Sequence, residues 1–425
     1  MFEKSLFGRH FTTRSGIESL MEDLGEALAA DSGNIRMLGG GNPALIPAAE
    51  KLWRKRMEDL LTDGRRFEQM LGVYDPPKGN ARFAQVLARE LSKCFGCTIG
   101  EENIAVTSGG QTAFFYLFNL LAGDHGAGRK KRILLPIVPE YIGYAQQGFS
   151  DDFFVGVLPE IEHIGAHRFK YRVDFDKLQI DDSIAAICVS RPTNPSGNVL
   201  TDSEIQHLDR LAREAQIPLI IDHAYGKPFP GIVFRDIEPI WNENIILTLS
   251  LSKLGLPGTR TGIVVAHPEI IRSVVAMTSI SGLANGTVGQ ALVTPLLESG
   301  EIESLVRNHI APFYKRKSEN ARAWVQQYFS DDLDYHVHEY EGALFLWIWL
   351  RGLPISSAEL YERLKQRGVL IVPGHYFGFG SDEAARHCDE CIRVSFAMED
   401  CVVEEGIKIL AEVISEAYRN SSGTL

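Results

Sequence analysis

A chain of 425 residues, 45% hydrophobic and 23% charged, is long enough to bury the core of a large domain and of a smaller one, in the proportions of an ordinary globular protein. Its formal net charge of −12 argues against a nucleic-acid partner, which needs a basic footprint. The longest apolar stretches, such as Ala343 to Leu350, fall well short of the ~18 residues that suggest a membrane span. Met1 to Gly16 mixes Glu, Lys, Arg and His without the apolar centre of a secretory signal, so no membrane partner and a cytoplasmic location are expected.

Strand candidates recur near 103–107, 132–137, 153–158, 185–190, 217–221, 244–249 and 261–266, with helical stretches between them. That alternation predicts an α/β fold with a mostly parallel sheet and helices on both faces. The first of these strands runs into Ser108-Gly109-Gly110-Gln111 and a helix. Backbone N–H groups at a helix N-terminus bind anions, and glycines let a phosphate approach closely. The segment lacks the Lys-Ser/Thr ending of a nucleotide P-loop and the three-glycine dinucleotide fingerprint. Phe114, Phe115 and Phe118 follow at helical spacing and read as core. Ala185–Ser190 leads into Arg191-Pro192-Thr193-Asn194-Pro195-Ser196-Gly197, a rigid turn. Asn194 there is either an ordinary turn residue or an amide for a phenolate or a carboxylate. Thr201-Asp202-Ser203-Glu204 opens a helix with a capping box, and Ile205, Leu208, Leu211 and Ala212 follow at helical spacing.

Two strand ends carry the most chemistry. Ile217–Ile221 ends in Asp222, an expensive place for an acid without a cation. A protonated pyridine nitrogen would be that cation, and Tyr225 could hydrogen-bond the ring's phenolic oxygen; a helix-capping or turn aspartate is the plainer alternative. Ile245–Leu247 runs on to Ser250-Leu251-Ser252-Lys253, with Arg260 beyond. A lysine leaving a buried strand among hydroxyls, glycines and an arginine suits one that condenses with an aldehyde while Ser250 and Arg260 hold a phosphate. A solvated loop lysine is the alternative. These groups fall just past strand ends, where open α/β sheets bind ligands.

From about residue 300 the pattern changes. A long helical stretch, Glu301 to Phe329, precedes strand-like Gly342 to Leu350, a helix near 357–367, Val369–Gly374, strand-like Cys391–Phe396 and a helix near 402–418, together an α+β unit. The pairs Cys94/Cys97 and Cys388/Cys391 have the spacing of half a zinc site each but lie far apart, so free thiols and no metal are expected. His223 is a weaker proton shuttle than Lys253, and His375 reads as structural or as a pocket rim. Asp151/Asp152 and Asp181/Asp182 read as solvated loops.

In their order and spacing, Gly109-Gly110-Gln111, Asn194-Pro195-Ser196-Gly197, Asp222-His223-Ala224-Tyr225 and Ser250-Leu251-Ser252-Lys253 resemble the fold-type I, class I pyridoxal-phosphate aminotransferases. Pro139-Glu140-Tyr141-Ile142-Gly143-Tyr144, Tyr74 before Gly79, Ile392-Arg393-Val394-Ser395-Phe396 and Gly41-Asn42-Pro43 extend the resemblance over nearly the whole chain. It implies pyridoxal 5'-phosphate as cofactor and a homodimer. It implies catalytic roles for Lys253 and Asp222. Gly110, Gln111, Tyr141, Asn194, Tyr225, Ser250 and Arg260 would contact the cofactor, with Tyr74 arriving from a neighbouring subunit. Gly41, Asn194 and Arg393 would bind substrate. The implied architecture is a large domain over 46–300, with a mostly parallel seven-stranded sheet, and a smaller α+β domain of 1–45 with 301–425. Arg260 lies seven residues after Lys253, not the eight typical of aspartate aminotransferases, a spacing that resembles the aminoadipate-type subgroup.

Ser5-Leu6-Phe7-Gly8, Ser15-Gly16-Ile17, Met37–Ala44 and Phe229-Pro230-Gly231-Ile232 are similar, more narrowly, to the valine–pyruvate branch of bacterial aminotransferases. The small-molecule partners it implies are amino acids and 2-oxo acids: valine and pyruvate, giving 3-methyl-2-oxobutanoate and alanine. Ile17 would suit a branched aliphatic side chain, and no second arginine is obviously placed for a side-chain carboxylate, with Arg9, Arg14 and Arg36 left open. Competing readings are an aminotransferase for other aliphatic, aromatic or aminoadipate-type substrates, or a lyase with the same cofactor. A transcription regulator would need an added winged helix, for which the first 40 residues are too short and too little basic. An inactive homologue is disfavoured by the presence of the lysine, aspartate, asparagine and arginine together.

Overall fold

The computed structural model describes residues 3–13, 15–29, 35–150 and 152–422. The seven expected strands are β1 (Ile104–Thr107), β2 (Lys130–Leu135), β3 (Phe154–Gly156), β4 (Ile184–Ser190), β5 (Leu219–Asp222), β6 (Ile245–Ser250) and β7 (Gly262–Val265). They lie in the order β1-β7-β6-β5-β4-β2, with β3 on β2. Among the described residues the sheet has eight strands, not seven, because Gly123–Asp124 folds back antiparallel onto β2. Two residues are too few to show a periodicity, and Gly123 makes the bend at φ +111°.

Pairing is parallel from β3 through β2, β4, β5 and β6. Only β7 among the seven runs antiparallel to its neighbours, β6 and β1. This reversal positions the site. The chain leaves β6 at Ser250, turns through Lys253 and Arg260, and re-enters at Gly262, which pairs with Thr107. Lys253, Arg260 and the glycine turn after β1 therefore share one edge of the sheet. Every residue of β1, β4, β6 and β7 is buried, as expected for strands covered on both faces.

A second sheet has six strands, ordered Val372–Pro373, Cys391–Ser395, Phe345–Leu350, Tyr335–His338, Arg168–Arg172 and Glu160–His163. Its last two strands form a hairpin inside the 46–300 span yet extend this second sheet. The hairpin's Lys170 is buried and donates to Asn198 Oδ1 (2.9 Å), Val199 O (3.2 Å) and Glu341, tying the second sheet to the Asn194 turn. Burying aromatic side chains such as Phe345 and Trp347 of the central strand stabilises this sheet by about 1.5–3 kcal/mol each.

The N-terminal segment joins the C-terminal unit. Arg36–Met37 pair in parallel with Val369–Leu370. Asp23, on the helix Gly16–Ala29, accepts from Tyr361 Oη and Lys365 Nζ, both at 2.6 Å. The helical stretch from Glu301 runs to Tyr328 with one π-turn at Val306–Ile310, and the last helix spans Asp400–Ser422. The Thr201 capping box forms as expected: Thr201 Oγ1 accepts from Glu204 N at 3.2 Å, and Thr201 N donates to Glu204 Oε2 at 2.7 Å. No described helix is long and apolar enough to cross a membrane.

Candidate active site

A cavity of about 280 Å³ opens at the edge where β1, β4, β5 and β6 end. Eleven of the twelve residues singled out from the sequence line it: Gly41, Gly110, Gln111, Tyr141, Asn194, Asp222, Tyr225, Ser250, Lys253, Arg260 and Arg393. Tyr74 does not. It is 80% exposed and absent from its own chain's cavity lining.

Asp222, the last residue of β5, is enclosed except towards the cavity. Its Oδ2 accepts from Tyr144 Oη (2.7 Å), and its Oδ1 accepts from Ala224 N (2.8 Å) and Thr248 Oγ1 (3.3 Å). Burial raises its pKa, opposed by these donors and by Lys253. It makes no ion pair with an arginine or lysine among the described residues. Lys253 follows β6 on a short 3-10 turn and donates to Gly41 O at 2.5 Å. Burial, then Arg393 and Arg260, lower its pKa to about 8, with Asp222 opposing. Its Nζ stands 5.7 Å from the centre of the Tyr225 ring.

Beside this pair lies an anion cradle. The helix Gly110–Leu121 presents its first N–H groups without intrahelical partners. Gly109 precedes it at φ +93°, and a Cβ there would meet Arg260 Nη2 at 2.2 Å, so only glycine admits the guanidinium. The Gln111 side chain donates to Gly143 O at 2.8 Å, and Ser250 Oγ accepts from Ser252 N at 3.1 Å. Tyr141 packs so closely on Gly143 that a Cβ there would meet its ring at 2.2 Å, which leaves the tyrosine at the cavity wall.

On the opposite strand set, Arg393 projects from Cys391–Ser395. Nη1 donates to Asn194 Oδ1 and Nη2 to Gly39 O, each at 2.8 Å, and the guanidinium lies 4.0 Å from the Phe345 ring centre. Burial lowers its pKa to about 10, with Tyr225 and Tyr141 opposing, and its buried Nε has no hydrogen-bond partner among the described residues. Such a fork, pinned on two sides, suits a carboxylate. The remaining wall includes apolar Ile17, Leu20 and Met21, one face of the N-terminal helix, with Leu370 and Ile371.

Several participants have no role in the sequence reading. Tyr144 and Thr248 hold Asp222, and buried Glu140 and Ser190 stand behind them. Phe114 and Phe118 are buried as expected, though Phe114 also reaches the cavity, while Phe115 is only half-buried against the same cluster. Burial lowers the His223 pKa to about 4, and the residue lies outside the cavity lining. His375 bonds Ser357 Oγ at 2.9 Å. The six cysteines stand free, and no metal-binding group of His, Cys, Asp or Glu occurs among the described residues. Arg36 pairs with Glu405 at 2.5 Å, and the described arginines lining the cavity are Arg260 and Arg393. Arg14 and Asp151 lie outside the described residues.

A half-buried lysine, an enclosed aspartate, an anion cradle and a carboxylate fork in one cavity on this sheet define a group-transfer enzyme, and comparison with known proteins gives its family. The family model for class I and II aminotransferases matches residues 156–410. The valine–pyruvate aminotransferase of Escherichia coli is 46% identical over 98% of this chain and 99% of its own. The crystal structure of the valine–pyruvate aminotransferase of Salmonella typhimurium LT2 superposes with a TM-score of 0.87 at 45% identity, covering 95% of this chain and 99% of that one. A Pyrococcus horikoshii kynurenine aminotransferase, 22% identical with a TM-score of 0.78, shares the fold over 98% of this chain and 97% of its own. The chain belongs to the class I and II aminotransferases and is an enzyme of that class. Over its whole length it is similar to the valine–pyruvate aminotransferases.

Proposed function

We propose that this aminotransferase works with pyridoxal 5'-phosphate and moves an amino group between L-valine and pyruvate, giving 3-methyl-2-oxobutanoate and L-alanine. The residues present fit the cofactor. Asp222 faces the cavity as an acid without an ion-pair partner among the described residues, and the cradle at Gly110, Gln111, Ser250 and Arg260 matches a phosphate. Tyr141 would flank the ring, Asn194 and Tyr225 would meet its phenolic oxygen, and Lys253 would hold its aldehyde carbon. Bound there, the cofactor supplies a protonated ring that draws electron density from the substrate's Cα.

The chain's own residues do the rest. Asp222 keeps a positive charge favourable at the floor of the cavity. Arg393 holds the α-carboxylate of each substrate with hydrogens left over from its bonds to Asn194 and Gly39. Lys253, poised near pKa 8, takes the proton of Cα as a positioned general base once its amine is free. Ile17, Leu20 and Met21 offer the isopropyl group of valine an apolar wall.

The full-length likeness to the Escherichia coli enzyme carries the substrate assignment, and an amino-donor by oxo-acid-acceptor activity matrix tests it. Valine and alanine are expected to exceed aspartate and glutamate as donors. The opposite order overturns the substrate pair and leaves the cofactor reading intact. Arg393→Ala should weaken valine and alanine alike, because it removes a shared handle. Ile17→Ala should change their ratio, since a methylene in an apolar pocket is worth ~1–3 kcal/mol of discrimination. An unchanged ratio would remove Ile17 from the specificity wall.

The enzyme is further read as a cytoplasmic homodimer, with 46–300 holding the cofactor and 1–45 with 301–425 closing the substrate side. The free cysteines support the compartment. Exposed Leu61, Leu71, Val73 and Tyr74 support a partner surface, where Tyr74 would reach the neighbouring phosphate. Mixing inactive Lys253→Ala chains with Tyr74→Phe chains is expected to restore activity beyond that of either variant alone. A fully active monomer in sedimentation would contradict this.

A further inference from the structure

Glu140 is a buried acid without an ion-pair partner among the described residues. It is 1% exposed, and its Oε1 accepts from Ser190 N at 2.9 Å. Its Oε2 lies 2.8 Å from Ser190 Oγ and accepts from Tyr141 N at 3.0 Å. Ser190 pairs in register with Asp222, and its Oγ lies 3.5 Å from Tyr144 Oη, which donates to Asp222. Two carboxyl groups thus share one hydrogen-bonded cluster. The other groups facing Glu140 are Tyr141 and Tyr144 on its own segment and Cys188 on β4, none of them cationic; Lys253 acts on Asp222. Two buried anions this close are costly, and the proton goes to the one away from the cavity.

We propose that Glu140 is a positioning residue for amino transfer: as a neutral acid it donates to Ser190, which turns its hydroxyl to Tyr144, whose own hydroxyl then supports the Asp222 carboxylate. Ionising Glu140 reverses the Glu140–Ser190 end of the row. Ser190 then donates to Glu140, and the new negative charge draws a proton towards Asp222 and away from a bound ring. Burial, opposed by the Ser190 and Tyr141 bonds, lifts the Glu140 pKa to about 8, so the reversal falls on the alkaline side of neutrality. The sign for stability follows. With the folded pKa raised above the ordinary ~4.3, this group's contribution is full below that value, declines as pH rises, and is gone above about 8.

The inference rests on the cofactor reading above, and two measurements separate them. In the protein without cofactor, the infrared difference between wild type and Glu140→Gln should show the carbonyl stretch of a protonated carboxylic acid near neutral pH, lost on alkaline titration. In the cofactor-loaded enzyme, the wild-type to Glu140→Gln ratio of kcat/KM should fall about tenfold between pH ~7 and ~9.5, the effect of one pKa unit. Ser190→Ala interrupts the row while keeping Glu140 and its charge, and should shrink the same alkaline fall without removing it; it also decides the matter if Glu140→Gln does not fold. Absence of the infrared band near neutral pH, or pH profiles in both variants identical to wild type, would overturn the proposal. A wild-type enzyme that binds no cofactor would overturn the cofactor reading instead.

Discussion

Lys253→Ala should fold and lose amino transfer almost completely. The substitution removes the amine that would carry the cofactor and the base that would take the Cα proton. Positioned acid–base catalysis alone contributes ~10²–10⁴-fold. Its setting makes the residue hard to replace: a free amine added in solution would not be held at Gly41 O, nor lowered to a pKa of about 8 by desolvation, Arg393 and Arg260. The visible absorption of the purified enzyme should disappear in the same variant. Retention of more than a small percentage of wild-type kcat would remove Lys253 from the chemistry.

Asp222→Asn should bind cofactor yet lose ~10²–10³-fold in kcat, the usual loss when one preorganised electrostatic contact is removed. Asparagine preserves the volume and can accept from Ala224 N, but it lacks the charge that keeps a ring nitrogen protonated. Its amide would also meet a donor, because Tyr144 Oη, Ala224 N and Thr248 Oγ1 all point at the carboxylate. The charge-dependent part of the loss belongs to the transition state, where electron density moves into the ring. KM should therefore change less than kcat. Near wild-type turnover would refute an electron-sink role for this residue.

The chemistry was most legible where a uniformly apolar strand ends in a residue that burial penalises. Asp222 after Leu219–Ile221 and Lys253 after β6 are such cases, and a parallel sheet delivers them to one edge. What depended on register was not legible. Thr248 reaches Asp222 because β5 and β6 pair at that level, and Ser190 stands beside it for the same reason across β4. Glu140 carried a readable signal: an acid after the apolar Ile137-Val138, with no cation nearby in sequence, obeys the argument applied to Asp222. The Glu160–Arg172 hairpin alternates charged with apolar residues, the pattern of half-buried strands, but that pattern does not say which sheet it joins; its pairing with Tyr335–His338 does. Ile17, Leu20 and Met21 share a helix face by spacing, but only the fold shows that this face meets the cavity.

Borohydride reduction of the purified enzyme followed by peptide mapping tests the central claim most directly. The account predicts that the cofactor is fixed on the peptide containing Ser250-Leu251-Ser252-Lys253, on Lys253 alone. A label on another lysine, such as buried Lys170 or Lys317, or no label at all on an active enzyme, would contradict it.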